Sequence, residues 1–408
     1  MFATILPFAS GLRMMMGEAV FRRAIVVSMS VCALVVTSAG AGDAGPGGVV
    51  VLPGPSGALP VGTTTLHLVD VARPDPFQPD RSRELMVSVF YPATEVDRYP
   101  RAHYASTELI PGLESELGTE LPGALTHARR DAPAQAAGAY PVVLNTPGGG
   151  VSRILGTGLA EDLASRGYVV VTVDHTYESS PAVEFPGGRI VRPAAAPNGV
   201  DTAIREKYIA ARLLDLRFVL DSLAGLAAGT NPDAESDALP ADLGRVLDLD
   251  RVGAVGHSSG GYTAVEAMHE DRRIDAAVDL DGQIGVDEAF GRAVNEGVDR
   301  PTLVVTSSQI EQVGDANPSL DAFWQRATGW KRHLAIADSA HYDFTDMPSL
   351  VPAVARPAAA TYIGAIDPDR MATLVRGYVA AMFDKFLRER TDTVLDRPII
   401  EPEVTTIR

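Results

Sequence analysis

The sequence predicts an α/β fold, a mostly parallel central sheet with helices on both faces, on three observations. Short near-continuous apolar runs, such as Tyr168 to Asp174 and Ile274 to Leu280, suit strands buried on both faces. They alternate along the chain with segments of helical period. One further run, Arg251 to Val255, leads straight into GHSSGGYTAV, a strand-to-helix junction with two serines between close glycines.

Taken in order, Thr63 to Val69 and Glu84 to Tyr91 alternate as strands, with a loop between them. Residues 95–135 read as a helical excursion with loops. Tyr140 to Asn145 is a buried strand, Arg153 to Arg166 a helix, and Tyr168 to Asp174 the next strand. Repeated Pro and Gly make 180–200 a long loop, after which Asp201 caps a helix reaching about Leu223. Residues 227–245 are a loop. Ser259 to His269 is the helix after the junction. Strands Ile274 to Leu280 and Thr302 to Ser307 follow, then a helix around Leu320 to Ala327 and strand His333 to Ala337. The closing helix, Met371 to Phe386, places Met371, Leu374, Val375, Tyr378, Val379, Met382, Phe383 and Phe386 on one face.

The ends of the chain read differently. Arg22 and Arg23 precede an apolar run, Ala24 to Val36, and then Ser38-Ala39-Gly40-Ala41. That order predicts a secretory signal peptide over 1–41, cleaved after Ala41, too short to span a membrane comfortably. Residues 42–60, rich in Gly and Pro, make a flexible lead-in. The globular domain then covers 61–390, and 391–408 form a C-terminal tail. The one cysteine, Cys32, lies inside the apolar run, so the secreted chain has no disulfide, no thiol catalysis and no cysteine metal site. A formal net charge of −17 argues against a nucleic-acid partner. The glycine run Gly148-Gly149-Gly150 is followed by no Lys-Ser or Lys-Thr and shows no dinucleotide spacing, which argues against a nucleotide site.

The junction carries the chemistry. Gly256, His257, Ser258, Ser259 and Gly260 read G-x-S-x-G. Small residues two positions either side of Ser258 let a sharp turn close and lift its hydroxyl above the sheet, with the Ser259 N–H aimed beside it. A serine hydroxyl needs a base, and the base an orienting acid. In α/β-hydrolases the chain order is nucleophile, acid, histidine. Three histidines follow Ser258. His269 lies far along the helix and His333 at the start of a strand. His341, in the loop SAHYDF after a strand's C-terminal end, stands where parallel sheets place ligands. For the acid, Asp279 and Asp281 share strand parity. Asp281 lies nearer the rim, Asp279 is a second, structural carboxylate, and Glu311 after the following strand is the alternative.

GHSSGGYTAVEAMHEDRRIDAAVDLDG resembles the matching stretch of the platelet-activating factor acetylhydrolases, the plasma-type lipoprotein-associated phospholipases. That family has a GHS-x-GG elbow and a triad aspartate in a Leu-Asp pair after the next strand, as in Leu280-Asp281, 23 residues beyond the serine. Its histidine sits in a short loop like that of His341. YPVVLNTPGGG, LAEDLASRGYVVVTVDH and VSVFYPA extend the resemblance over most of 60–390. Where the family has His-Gly, this chain has Pro147-Gly148; Gly149 aligns with the oxyanion residue. The resemblance implies an α/β-hydrolase fold and a Ser258–His341–Asp281 triad with oxyanion donors at Gly149 and Ser259. It implies hydrolysis of lipid-like or short-acyl esters, with no metal and no organic cofactor. The expected partner is an ester or phospholipid-like small molecule, with room for transient contact with a lipid surface. A general carboxylesterase, lipase or polyester hydrolase shares this machinery, as does acyl transfer to an alcohol. A non-catalytic hydrolase-fold binding module is the reading from another class.

Overall fold

The apolar runs become the middle of one eleven-stranded sheet. A computed structural model of the protein describes residues 52–194, 202–286, 289–312, 318–352 and 356–408. The predicted leader, residues 42–51 and Asp201 lie outside them.

In chain order the strands are β1 (Val61–Pro74), β2 (Ser82–Pro92), β3 (Arg101–His103), β4 (Leu125–Arg130), β5 (Tyr140–Thr146), β6 (Val169–Asp174), β7 (Leu247–His257), β8 (Ile274–Leu280), β9 (Thr302–Ser307), β10 (Lys331–Ile336) and β11 (Val404–Thr406). They lie side by side in the order β11-β10-β9-β8-β7-β5-β6-β2-β1-β4-β3. From β10 to β6 every neighbouring pair is parallel. β2 pairs antiparallel with β6 and with β1. The six strands β5 to β10 therefore end at one edge, where an open parallel sheet presents its ligand crevice.

The central strands are apolar because both faces are covered. Val142, Val143, Leu144, Val169, Val170 and Val171 are all fully buried. One face packs on helices α1 (Thr202–Ala227) and α2 (Ser259–Glu270) through Leu216, Val219, Val265 and Met268. The other packs on α3 (Pro368–Leu387) and on the helix Thr157–Ser165. The predicted stripe of α3 is buried from Met371 to Phe383, and Phe386 flanks it. Burying a side chain of that size is worth about 1.5–3 kcal/mol. Asp367 starts this helix by accepting the Arg370 N–H at 3.0 Å.

Four stretches differ from the sequence expectation. Residues 95–135 hold one α-helix, Ile110–Leu117, but also β3 and β4, which widen the sheet. Within 180–200 a two-stranded hairpin forms, Val183–Phe185 with Arg189–Val191, and Arg189 pairs with Glu84 at 2.6 Å. The described part of the lead-in is packed: Ser56 Oγ donates to Asp162 Oδ1 at 2.6 Å and the Leu59 N–H to the Ser165 carbonyl at 2.9 Å. The stretch 391–408 supplies β11, antiparallel to β10, so it completes the sheet rather than trailing from it.

Candidate active site

Three loops at the C-terminal edge of the sheet bring Ser258, His341 and Asp281 together. Ser258 sits between β7 and α2 at φ 57°, ψ −123°. A non-glycine residue in that region is strained, and the surroundings must hold it there. They do so through backbone contact: a Cβ on Gly256 would fall 2.2 Å from the Gly260 carbonyl, and one on Gly260 would fall 2.0 Å from the Thr146 oxygen. Both glycines of G-x-S-x-G are thus demanded by close approach. The Ser258 N–H donates to the Leu280 carbonyl at 2.8 Å, tying the turn to the end of β8.

Asp281 follows that strand end at φ 57°, so the chain leaves the strand conformation at this residue. Its Oδ1 accepts the Ser307 N–H at 2.5 Å and its Oδ2 the Ser307 hydroxyl at 3.1 Å. Oδ2 also lies 2.7 Å from His341 Nδ1. A carboxylate only accepts, so Nδ1 carries the proton and Nε2 offers its lone pair. Nε2 stands 3.0 Å from Ser258 Oγ. Ser258, His341 and Asp281 are 7 %, 7 % and 1 % exposed, so Asp281 is the most deeply buried of the three.

The loop of His341 is fixed from three sides. Asp343 Oδ2 accepts the Ala340 and Gly364 N–H groups, each at 2.8 Å, and the Tyr342 N–H reaches the Tyr362 carbonyl at 2.9 Å. His257, the residue before the serine, donates from Nε2 to the His341 carbonyl at 2.8 Å. Burial, and then the neighbouring His341 ring 4.5 Å away, hold His257 well below the ordinary imidazole value. It stays neutral, so no second cation opposes charge on His341.

Asp279 lies beneath the turn, fully buried, with only the Gly282 N–H close to its carboxyl and no well-formed hydrogen bond among the described residues. Burial first, and the adjacent Asp281 second, push it up to about 8. The folded state thus keeps a proton that the unfolded chain releases near 3.8. This contribution to stability is complete below the unfolded value and is lost as pH rises through the folded one. Asp279→Asn, a neutral isostere, is expected to lose less melting temperature than the parent between about pH 5 and about pH 9, and to melt higher than the parent at the upper end. Melting curves at the two pH values check this. A variant that falls as steeply as the parent would mean that Asp279 is not the group responsible.

The remaining sequence candidates fall as follows. Gly149 is a central residue of the turn Gly148–Val151, closed by the Val151 N–H on the Gly148 carbonyl at 3.2 Å, with Gly150 at φ 68°. Ser259 is the first residue of α2, where helical N–H groups have no partner inside the helix. Glu311 falls on the short helix Ser308–Gln312 after β9; its side chain lies outside what the structure describes. His269 pairs with Glu296 at 3.1 Å toward the far end of α2, and His333 sits inside the sheet against Thr306 at 2.9 Å. Neither reaches Ser258. Three polar residues escaped the sequence reading: Ser307, which holds Asp281, and the buried pair Arg212 and Glu178, which holds the loop after β5. Ser307 ends a legible strand, but only the register of β8 against β9 reveals its role.

Chemically, the arrangement can take a proton from the Ser258 hydroxyl at Nε2 and stabilise the resulting imidazolium at Nδ1. Comparison with known proteins points to ester hydrolysis. Of proteins with similar sequence, a probable 1-alkyl-2-acetylglycerophosphocholine esterase of Arthroderma benhamiae is 26% identical over 392 residues, covering 86% of this chain and 92% of its own. A platelet-activating factor acetylhydrolase of Cavia porcellus is 23% identical over 63% of this chain and 62% of its own length. Among solved structures, a ferulic acid esterase from Streptomyces cinnamoneus superposes with a TM-score of 0.74 at 39% identity, covering 88% of this chain and 99% of that one. The family model for platelet-activating factor acetylhydrolase, isoform II, matches residues 81–396, and the chain belongs to that family.

Proposed function

We propose that this ester hydrolase cleaves short-acyl, lipid-like carboxylic esters through Ser258, His341 and Asp281, and that it is exported. The observation that supports this most is the hydrogen-bonded run Ser258 Oγ–His341 Nε2, 3.0 Å, and His341 Nδ1–Asp281 Oδ2, 2.7 Å, set on a strained turn. Ser258 Oγ attacks the ester carbonyl as His341 Nε2 takes its proton. Asp281 keeps the imidazole oriented and stabilises its cation. The N–H groups of Gly149 and Ser259 receive the oxyanion, each worth about 3–4 kcal/mol of barrier. Collapse expels the alcohol with the proton from His341 and leaves an acyl-Ser258. Water, deprotonated by His341, then releases the acid. The substrate is an ester or phospholipid-like small molecule, met at times on a lipid surface. Among the described residues no helix is long and apolar enough to cross a membrane. Export rests on the leader sequence, Arg22 to Ala41.

A second reading has its own support. The ferulic acid esterase is more similar in sequence, at 39% identity, than the acetylhydrolases at 23–26%. It would make an aromatic acyl group the preferred one. One experiment separates the readings: culture medium of a host producing the full chain is assayed on nitrophenyl esters from acetyl to palmitoyl and on methyl ferulate. Activity is expected in the medium, on a chain beginning at Gly42, highest for acetyl and falling with acyl length. Faster turnover of the ferulate selects the second reading. A maximum at palmitoyl makes the protein a long-chain lipase, and activity confined to the cells removes the export proposal.

A further inference from the structure

Arg212 projects from α1 and is 1 % exposed, yet every direction of its guanidinium is used. Nε and Nη2 grip the Glu178 carboxylate, each at 2.8 Å, in the bidentate geometry that suits this pair. Nη1 donates to the Pro147 carbonyl at 2.6 Å and Nη2 to the Gly148 carbonyl at 2.9 Å. A buried ion pair commonly gives little net stability, because removing both charges from water offsets their attraction. A buried pair whose remaining donors end on two consecutive carbonyls of one loop and, at 3.5 Å, on the Thr146 hydroxyl at its base therefore calls for a reason beyond stability.

The loop it grips supplies that reason. Gly148 C=O receives both Arg212 Nη2 and the Val151 N–H, so its two lone pairs are committed. The Gly148–Gly149 peptide bond is trans. In a trans peptide the C=O and the next N–H point in opposite directions. Fixing the Gly148 oxygen toward α1 therefore sends the Gly149 N–H away from it. The serine turn lies beside this loop: a Cβ on Gly148 would lie 3.0 Å from His257 Nδ1. The base of the loop is fixed as well. Thr146 Oγ1 lies 2.9 Å from His175 Nε2, whose Nδ1 lies 2.9 Å from Asp215. We propose that Arg212, braced by Glu178, is a positioning residue that aims the Gly149 N–H at the developing oxyanion and, through its charge on the Gly148 oxygen, polarises that N–H. This rests on the reading of Gly149 as an oxyanion donor. It also accounts for the Pro147-Gly148 sequence. Proline donates no N–H and leaves its carbonyl to be held, and the glycines after it give the loop the freedom to turn.

The test compares nitrophenyl acetate with its thiono counterpart, in which sulfur replaces the carbonyl oxygen. Sulfur is a weak hydrogen-bond acceptor, so an aimed donor favours the oxygen substrate. General loosening of the fold slows both alike. Arg212→Met is expected to lower kcat for the oxygen ester by about 10²-fold with KM little changed, the scale of one lost donor. The preference for oxygen over sulfur should shrink by about tenfold or more. Arg212→Met leaves Glu178 buried without its partner, so the double variant Arg212→Met/Glu178→Met, which removes both charges, is measured beside it. Arg212→Lys keeps the charge but lacks the fork. It should recover only part of the preference. If neither Met variant folds, Glu178→Gln, which loosens the brace while keeping its shape, decides by the same ratio. An unchanged ratio in any folded variant overturns the inference, as does an equal loss on both substrates. Failure of the parent enzyme to turn over either ester would instead remove the hydrolase reading on which the inference rests.

Discussion

Ser258→Ala is expected to lower ester turnover by about six orders of magnitude, the scale of losing a serine nucleophile outright, while the protein stays folded. Only one oxygen is removed. The backbone strain at φ 57° is the same for alanine as for serine. The contacts that hold the turn, the Ser258 N–H on Leu280 and the close approach of Gly256 and Gly260, do not involve the hydroxyl. Turnover and a thermal melt on the same sample check both halves. Activity above about one per cent of the parent's would move the nucleophile elsewhere, and the adjacent Ser259 would be the first residue to examine.

The second large effect separates the two candidate acids. Asp281→Asn should reduce kcat by about three to four orders of magnitude, as when a triad acid is neutralised. The reason is geometric. Asp281 Oδ2 accepts the His341 Nδ1 proton at 2.7 Å, while Ser307 fixes the carboxylate from the other side at 2.5 and 3.1 Å. An asparagine amide placed there donates toward Nδ1, selects the other tautomer and removes the lone pair that Ser258 needs at Nε2. Glu311→Gln should cost about tenfold or less, since Asp281 already accepts the His341 Nδ1 proton. The check is kcat for both variants on one ester. Reversed magnitudes would give the acid's role to Glu311.

Much of this site could be read from residue order. β8 and β9 match their predicted spans, Ile274 to Leu280 and Thr302 to Ser307, because strands buried on both faces leave uninterrupted apolar runs. The serine turn was legible because its glycines are forced by backbone contact, and such contact leaves a fixed spacing. Alternation could not separate Asp279 from Asp281. The difference arises from the positive φ at Asp281, where the strand ends and the carboxylate turns to Ser307 and His341. β3 and β11, three residues each, are too short for a period to show, and β11 reads Val-Thr-Thr in a stretch otherwise full of charge and proline. The Arg212 brace joins residues 34 and 65 positions apart in the chain. No local pattern announces contacts of that range, and an arginine in a helix reads as a solvated face until the fold buries it.

His341 is proposed to activate Ser258 as the attacking oxygen. A fluorophosphonate probe tests this, because it bonds preferentially with a serine oxygen that a neighbouring base activates. Purified enzyme is labelled, digested and mapped by peptide mass. The adduct is expected on Ser258 alone, with ester turnover lost in step with labelling. An adduct on Ser259 or on a distant serine, or no adduct on folded protein that still hydrolyses esters, would contradict it.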